Sequence, residues 1–293
     1  MKKTVYLSLL AASGFFASCK EKDVLINFGL KEGVTDSTYV GSTETPQSRN
    51  VLVEEFTGAS CTNCPAGHDV VKALIEANPE RIVALAYHTN NAGGIFEPVD
   101  KKGIKSLYDF RDADATSIGQ VIYEGLQVIP IAGIDRIKVG TSMLVSRPQW
   151  ANEANKRLII KPSVNMYMTS LYKEDEKKVN VKVKVVYNTD ISTKNSISLG
   201  VVESNIIDAQ EFPDRIEINY QHNHIFRKSL TPYNGYPVLD SIATKKAGRV
   251  YEFNYVFTPD EKWNLDNCYL VAYINNSESG NKEVLQAIEV KLK

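Results

Sequence analysis

Cys61 and Cys64 stand three residues apart in the run VLVEEFTGASCTNCPAGHDVVKALIE, which begins at Val51 and passes from an apolar strand pattern into a helical one. Thiols at i and i+3 can close a small disulfide ring. A cysteine at a helix start also lies among unpaired backbone N–H groups, whose dipole favours the thiolate. The chemistry this spacing points to is thiol–disulfide exchange. Cys61, expected at the helix cap and more exposed, attacks as thiolate, and Cys64, inside the first turn, resolves the mixed disulfide. A second reading stays open beside it: a Cys61–Cys64 disulfide that only staples the helix start.

The elements that must position this pair are legible from apolar spacing. Val51, Leu52, Val53 and Phe56 mark a buried strand, and Val70, Val71, Leu74 and Ile75 recur at helical spacing until Asn78-Pro79 stops the helix. Residues 81–88, RIVALAYH, form a continuous apolar strand of the kind found in sheets covered on both faces. Strand, helix and strand make one βαβ unit. Between Pro98 and Gly125, the positions of Ile104, Leu107 and Tyr108, then of Ile118, Val121 and Ile122, suggest two inserted helices. Ile131–Arg136 with Lys138–Val139 reads as a closing hairpin, and Pro148–Ile159 as a final helix.

A CxxC on a βαβ unit followed by a late Ile-Pro resembles the thioredoxin fold. That resemblance implies that Pro130 is the cis-proline beside the cysteines and that Ile129 offers its backbone to dock a substrate peptide. Ser60 departs from the usual Trp, and Thr62-Asn63 from the usual Gly-Pro, whereas Pro65 suits the first helical position. More broadly, FTGASCTNCPAGH, GLQVIPIAGIDR and HNHIFRKSLTPYNGYP resemble the Bacteroidetes lipoprotein family of the twenty-eight-kilodalton outer-membrane protein, over most of the chain after its first residues. The resemblance implies a thioredoxin-like domain, a β-rich domain and an outer-membrane location, with no settled activity.

The N-terminus fits that location. In MKKTVYLSLLAASGFFASC, Lys2 and Lys3 precede an apolar run from Val5 to Phe16, shorter than the roughly 20 residues a membrane span needs. Ala17-Ser18-Cys19 resembles a lipobox, which implies cleavage before Cys19 and acylation of its thiol, with a chain such as palmitate, to anchor the protein in a lipid bilayer. Residues 1–18 are thus read as a signal peptide and 19–49 as a lipidated tether, because DSTYVGSTETPQSRN (36–50) is rich in Ser, Thr and Gly. A net charge of −1 gives nucleic acid no reason to bind. With Cys19 acylated, Cys61, Cys64 and Cys268 remain, too few for a disulfide scaffold in an exported chain. Zinc could use Cys61, Cys64, His68 and His88. His68 lies four residues beyond Cys64 on a helix and the compartment is oxidising, so neither metal nor other cofactor is expected.

After Lys161-Pro162 the pattern changes to period two. VNVKVKVVY (179–187) alternates strictly, and ISLGVVES, VYEFNYVF, CYLVAYIN and VLQAIEVKL continue the series. The expected architecture is therefore an α/β thioredoxin-like domain over 50–160, with a helical insert, followed by an all-β immunoglobulin-like sandwich over 161–293. Cys268 opens an apolar strand and reads as a buried thiol. Asn219–Val238 lacks strand alternation and reads as a long loop. It either seals the seam between domains or, through His224, Arg227 and Tyr233, binds a glycan, peptide or partner. The functional expectation is an outer-membrane lipoprotein exchanging disulfides with cell-envelope proteins. The alternative is a non-catalytic surface lipoprotein, a binding or adhesion scaffold.

Overall fold

A computed structural model describes residues 24–25, 33–91 and 93–293; the signal peptide and Cys19 lie outside the described residues. The first long strand, β1 (Val34–Val40), falls inside the stretch read as a tether. Its Ser, Thr and Tyr residues alternate, so Val34, Asp36 and Thr38 turn inward while their neighbours face out. Polar content suggested an irregular arm, but pairing along seven residues with the strand Arg249–Phe257 decides otherwise.

β2 (Val51–Thr57) and β3 (Ile82–Thr89) then pair in parallel, with α1 (Pro65–Ala77) crossing between them. Every residue of both strands is buried, which is why neither shows alternation. Only one of the two expected inserted helices forms: α2 (Ala113–Ser117), extended by a π turn through Ile122. The segment around Ile104 makes a two-residue hairpin rung instead. β4 (Ile131–Ile134) runs antiparallel to β2. Its hairpin partner is β5 (Leu144–Ser146) rather than Lys138–Val139, because Asp135 and Arg136 take left-handed φ values of 46° and 51° and end the strand early. α3 (Trp150–Leu158) closes this part and buries Trp150 against Val51, Val53 and Ile134.

The rest is β6 (Val164–Lys173), β7 (Lys178–Tyr187), β8 (Asn195–Glu203), β9 (Ile206–Glu211), β10 (Ile216–His222), β11 (Ile225–Ser229), β12 (Tyr236–Val238), β13 (Arg249–Phe257), β14 (Cys268–Asn276) and β15 (Val284–Lys291). The protein is thus mostly β. One sheet runs in the order β1-β13-β7-β6, all antiparallel. Val179, Val181, Val183 and Val185 point inward from β7 and share a core with Leu199, Leu270 and Phe253, so two sheets sandwich that core. The stretch read as a long loop is instead most of β10, with β11 and β12. Its aromatics and histidines gave no period-two signal because β10 and β11 are bent apart at His224, whose φ is 56°.

The second sheet crosses between the two halves of the sequence. Its order is β15-β14-β8-β11-β3-β2-β4-β5, and β11 forms the joint, antiparallel to β8 and parallel to β3 at Ile225 and Ala86. Buried ion pairs fasten the joint. Arg136 bonds Glu54 through both Nε and Nη2, at 2.8 and 2.7 Å, and also donates to Tyr273 Oη of β14 at 2.6 Å. Tyr123 and Tyr87 donate to the same carboxylate at 2.6 and 3.2 Å. One residue earlier, Asp135 accepts from Arg49, Arg157 and the Leu52 N–H. Arg136→Met would leave the Glu54 charge buried without its partner, and chemical denaturation is expected to show a loss of about 3–5 kcal/mol.

Candidate functional site

The loop after β2 brings the two cysteines together as a disulfide, with Cα atoms 5.4 Å apart. Its geometry differs from the sequence expectation in two respects. α1 starts at Pro65 with Cys64 as its N-cap, and Cys61 sits one turn earlier, its N–H bonded to Gly58 O and its carbonyl accepting the Cys64 N–H. Proline at the first helical position fixes where the helix begins. The helix cap therefore belongs to Cys64. Nor is Cys61 open to solvent: Cys61 is 3% exposed and Cys64 0%. Cys61 Sγ contacts Ile129 O at 3.8 Å, and the Ile129–Pro130 bond that follows is cis.

What covers Cys61 comes from the other half of the chain. The hairpin β9–β10 lies over residues 58–61. The Gln210 amide donates to Gly58 O and Cys61 O at 3.2 and 3.1 Å, and the Glu211 N–H donates to Ala59 O at 2.8 Å. Ala209 packs with Ala59 and Val99. Asp208 accepts from the Leu107 and Tyr108 N–H groups, and Lys101 pairs with Glu211 at 2.6 Å. No local sequence signal could have placed this hairpin over the cysteines.

Beneath α1 lies a residue that sequence reasoning passed over. Glu55 is 4% exposed, and its Oε1 has no hydrogen-bond partner. Burial alone pushes its carboxyl well above the usual carboxylate range. A Cβ on Gly67, three residues after Cys64, would stand 2.5 Å from that oxygen and 3.1 Å from Pro130 Cβ. Gly67 is thus the gap in the helix that lets the carboxyl approach its first turn. The available signal was the pair Glu54-Glu55 inside an otherwise apolar strand: Glu54 is consumed by Arg136, and Glu55 is left over.

All four histidines of the chain gather nearby. His68 bonds Thr57 Oγ1 through Nε2 at 2.8 Å and Tyr220 Oη through Nδ1 at 2.7 Å. His88 and His222 flank the Phe110 ring, at 5.2 and 5.0 Å between centroids. Burial lowers His68 to about 3 and both His222 and His224 to about 4, and takes His88 well below its ordinary value, so all are neutral imidazoles near pH 7. The set Cys61, Cys64, His68 and His88 is not assembled for zinc. The sulfurs are bonded to each other, both His68 nitrogens have partners, and no metal-holding group of three or more such side chains exists among the described residues.

The candidate binding loop likewise disperses. His224 lines a cavity against α1, Arg227 pairs with Glu203 at 3.3 Å, and Tyr233 packs on the core that surrounds Phe56. Arg227 lies in β11, whereas His224 precedes that strand at a bend and Tyr233 sits in the turn after it. Cys268 is fully buried, and burial pushes its thiol up to about 12.

A family model described as outer membrane protein Omp28 matches residues 122–293, more than half of the chain but not its cysteine pair. No curated protein matches in sequence. Among solved structures, HBP35 of Porphyromonas gingivalis is similar over 85% of this chain and 77% of its own, with a TM-score of 0.65 at 15% identity. Protein AGR_C_4864 from Agrobacterium tumefaciens is similar over 85% of this chain and 97% of its own, with a TM-score of 0.51 at 11% identity. At these identities the likeness is one of fold.

The Gln210 bonds are two of the contacts that hold the hairpin to the cysteine loop. Gln210→Ala is expected to speed reduction of the Cys61–Cys64 disulfide by dithiothreitol about ten-fold, since two lost hydrogen bonds are worth about 1–2 kcal/mol in opening. Timed quenching with an alkylating agent and mass measurement reads the rate.

Proposed function

The chain belongs to the outer membrane protein Omp28 family, and from that premise we propose an envelope lipoprotein whose Cys61–Cys64 pair exchanges disulfides with other envelope proteins. The observation that carries this reading is Glu55. A disulfide that only staples a helix start has no use for a buried carboxyl without a partner, whose burial costs stability. An exchanging pair does, because its second sulfur must gain and lose a proton away from water. The parallel β2–α1–β3 unit, with β4 antiparallel beside β2 and Pro130 leading into it, supports a thioredoxin-like reading of residues 50–160.

From the disulfide form, a substrate thiolate attacks Cys61 Sγ, the Cys61–Cys64 bond breaks, and Cys64 leaves as thiolate. Glu55 gives Cys64 its proton. The second substrate thiol, deprotonated, then attacks the substrate sulfur of the mixed disulfide, which releases the Cys61 thiolate and a substrate disulfide. Two electrons have passed to the pair, and the same steps in reverse reduce a substrate disulfide. The Ile129 carbonyl, already against Cys61 Sγ, is placed to receive a substrate N–H. Since Cys61 is covered, the β9–β10 hairpin must lift before either direction runs.

The burial of both sulfurs favours a second reading, a non-catalytic surface scaffold with a structural disulfide. One variant separates the two. Cys64→Ala removes the resolving thiol, so Cys61 is expected to hold envelope proteins as mixed disulfides that reductant releases on a gel. If nothing is trapped and both single cysteine variants melt early, the scaffold reading stands. Glu55→Gln, which keeps the shape and loses the proton, is expected to slow exchange about a hundred-fold with little change in melting temperature.

Anchoring is part of the same proposal and rests on Ala17-Ser18-Cys19 together with the family's location. Cys19→Ser is expected to move the protein from the membrane to the soluble envelope fraction and to abolish incorporation of a labelled fatty acid. Wild-type protein that takes up no label would remove the anchor.

A further inference from the structure

A cavity of about 440 Å³ opens between α1, β3 and β10, with Val71, Ile75 and Leu85 among its walls. Glu55, His68, Tyr220 and His224 also line it, and two buried atoms of that lining, Glu55 Oε1 and His224 Nδ1, have no hydrogen-bond partner in the protein. Buried polar atoms left without protein partners are the groups that ordered water satisfies. The cavity is several times larger than one water requires. It reaches the one carboxyl that the disulfide chemistry needs.

The groups inside it are spaced in series. Tyr220 Oη lies 2.7 Å from His68 Nδ1; His68 Nε2 is bonded to Thr57 Oγ1 at 2.8 Å and lies 3.8 Å from Glu55 Oε1, a gap that one water in the cavity can bridge. Although His68 and Glu55 stand close enough to count as an ion pair, burial disfavours the charged form of each. We propose that this cavity is the proton entry of the Cys61–Cys64 site, with His68 and Tyr220 passing protons between water and Glu55. The proposal rests on the exchange reading and adds two positioning residues to it.

The transfer balances without a charged ring. After Glu55 has protonated Cys64, its carboxylate takes the hydrogen of His68 Nε2 while Nδ1 takes the Tyr220 hydroxyl proton, and water restores the phenol. Imidazole can do this because its two nitrogens exchange donor and acceptor roles. The surroundings favour a neutral relay. Burial penalises a positive charge on His68, and likewise on His88 of β3. The remaining charged groups at the cavity, Asp69, Lys72 and Glu76 of α1, are exposed at its rim, where Lys72 and Glu76 pair at 3.9 Å.

The test is chemical rescue on the full mature protein. Dithiothreitol reduces the pair, at concentrations where the rate rises in proportion to reductant so that chemistry rather than hairpin opening limits. His68→Ala is expected to slow reduction about ten-fold and to regain most of that loss when imidazole is added to the buffer, since the cavity admits it. Tyr220→Phe is expected to fall between the two. In the double variant Glu55→Gln, His68→Ala, imidazole is expected to restore nothing. A purely structural His68 predicts a rate that imidazole leaves unchanged, and that result, or wild-type rates in His68→Ala, overturns the relay. Should His68→Ala fail to fold by circular dichroism, His68→Asn, which can still bond Tyr220, takes its place with the same criteria. Dithiothreitol probes the pair whether or not envelope proteins are its substrates. Failure of the relay therefore leaves the trapping result standing, and failure of trapping leaves the rescue result readable.

Discussion

The fully buried pair of Glu54 and Arg136 is the constraint around which the rest is arranged. A carboxylate and a guanidinium removed from water are tolerable only if nearly every hydrogen-bonding position is filled. Two tyrosines complete Glu54, and Tyr273 caps Arg136. Those partners come from β2, β3, the turn after α2, the turn after β4, and β14. The pair therefore fixes strands from both halves of the sequence in one orientation. Asp135, held by Arg49 and Arg157, repeats the arrangement one residue away, and Arg157 reaches on to Glu283.

That rigidity is what gives the cysteine loop its geometry. The loop leaves the end of β2, and Ile129-Pro130 enters the start of β4, so fixing β2 against β4 fixes Cys61 against the Ile129 carbonyl. The same joint carries β11 to β3 and so delivers the β9–β10 hairpin to the site. Gln210 closes one side of the disulfide, and Tyr220 reaches His68 on the other. Two halves that composition separates are, at this site, one structure.

The hairpin also sets a tension within the site. A buried disulfide is protected, while a buried carboxyl without a partner is a cost that a protected disulfide does not need. Polar contacts hold the hairpin to the loop, with only a small apolar cluster around Ala59, Val99 and Ala209. Hydrogen bonds exchange with water at little net cost, whereas large apolar contacts do not. The covering is thus of the kind that opens locally without unfolding the sheets.

Much of the backbone was written in local pattern. Continuous apolar runs marked β2 and β3 because both faces of that sheet are covered, and strict alternation marked β7 because only one of its faces is. CxxC followed by proline marked the start of α1, although the helix begins one turn later than the thiols alone suggest, since proline fixes the first helical residue. Pattern failed where partners are distant. β1 looked like a tether because its polar residues gain meaning only beside β13. β10 to β12 looked like a loop because Tyr220 and His222 of β10 face α1 and Phe110 rather than a simple core, and the chain bends at His224 before β11. Sequence by itself determined that two thiols follow a buried strand and open a helix, and it carried Glu54-Glu55 within that strand, because those facts depend on neighbours in the chain. Only the tertiary structure decided that one glutamate would be neutralised by Arg136 and the other left bare beneath α1, that the thiols would be covered, and that four scattered histidines would meet. Burial and pairing are set by residues brought together from far along the chain, and no local spacing records them.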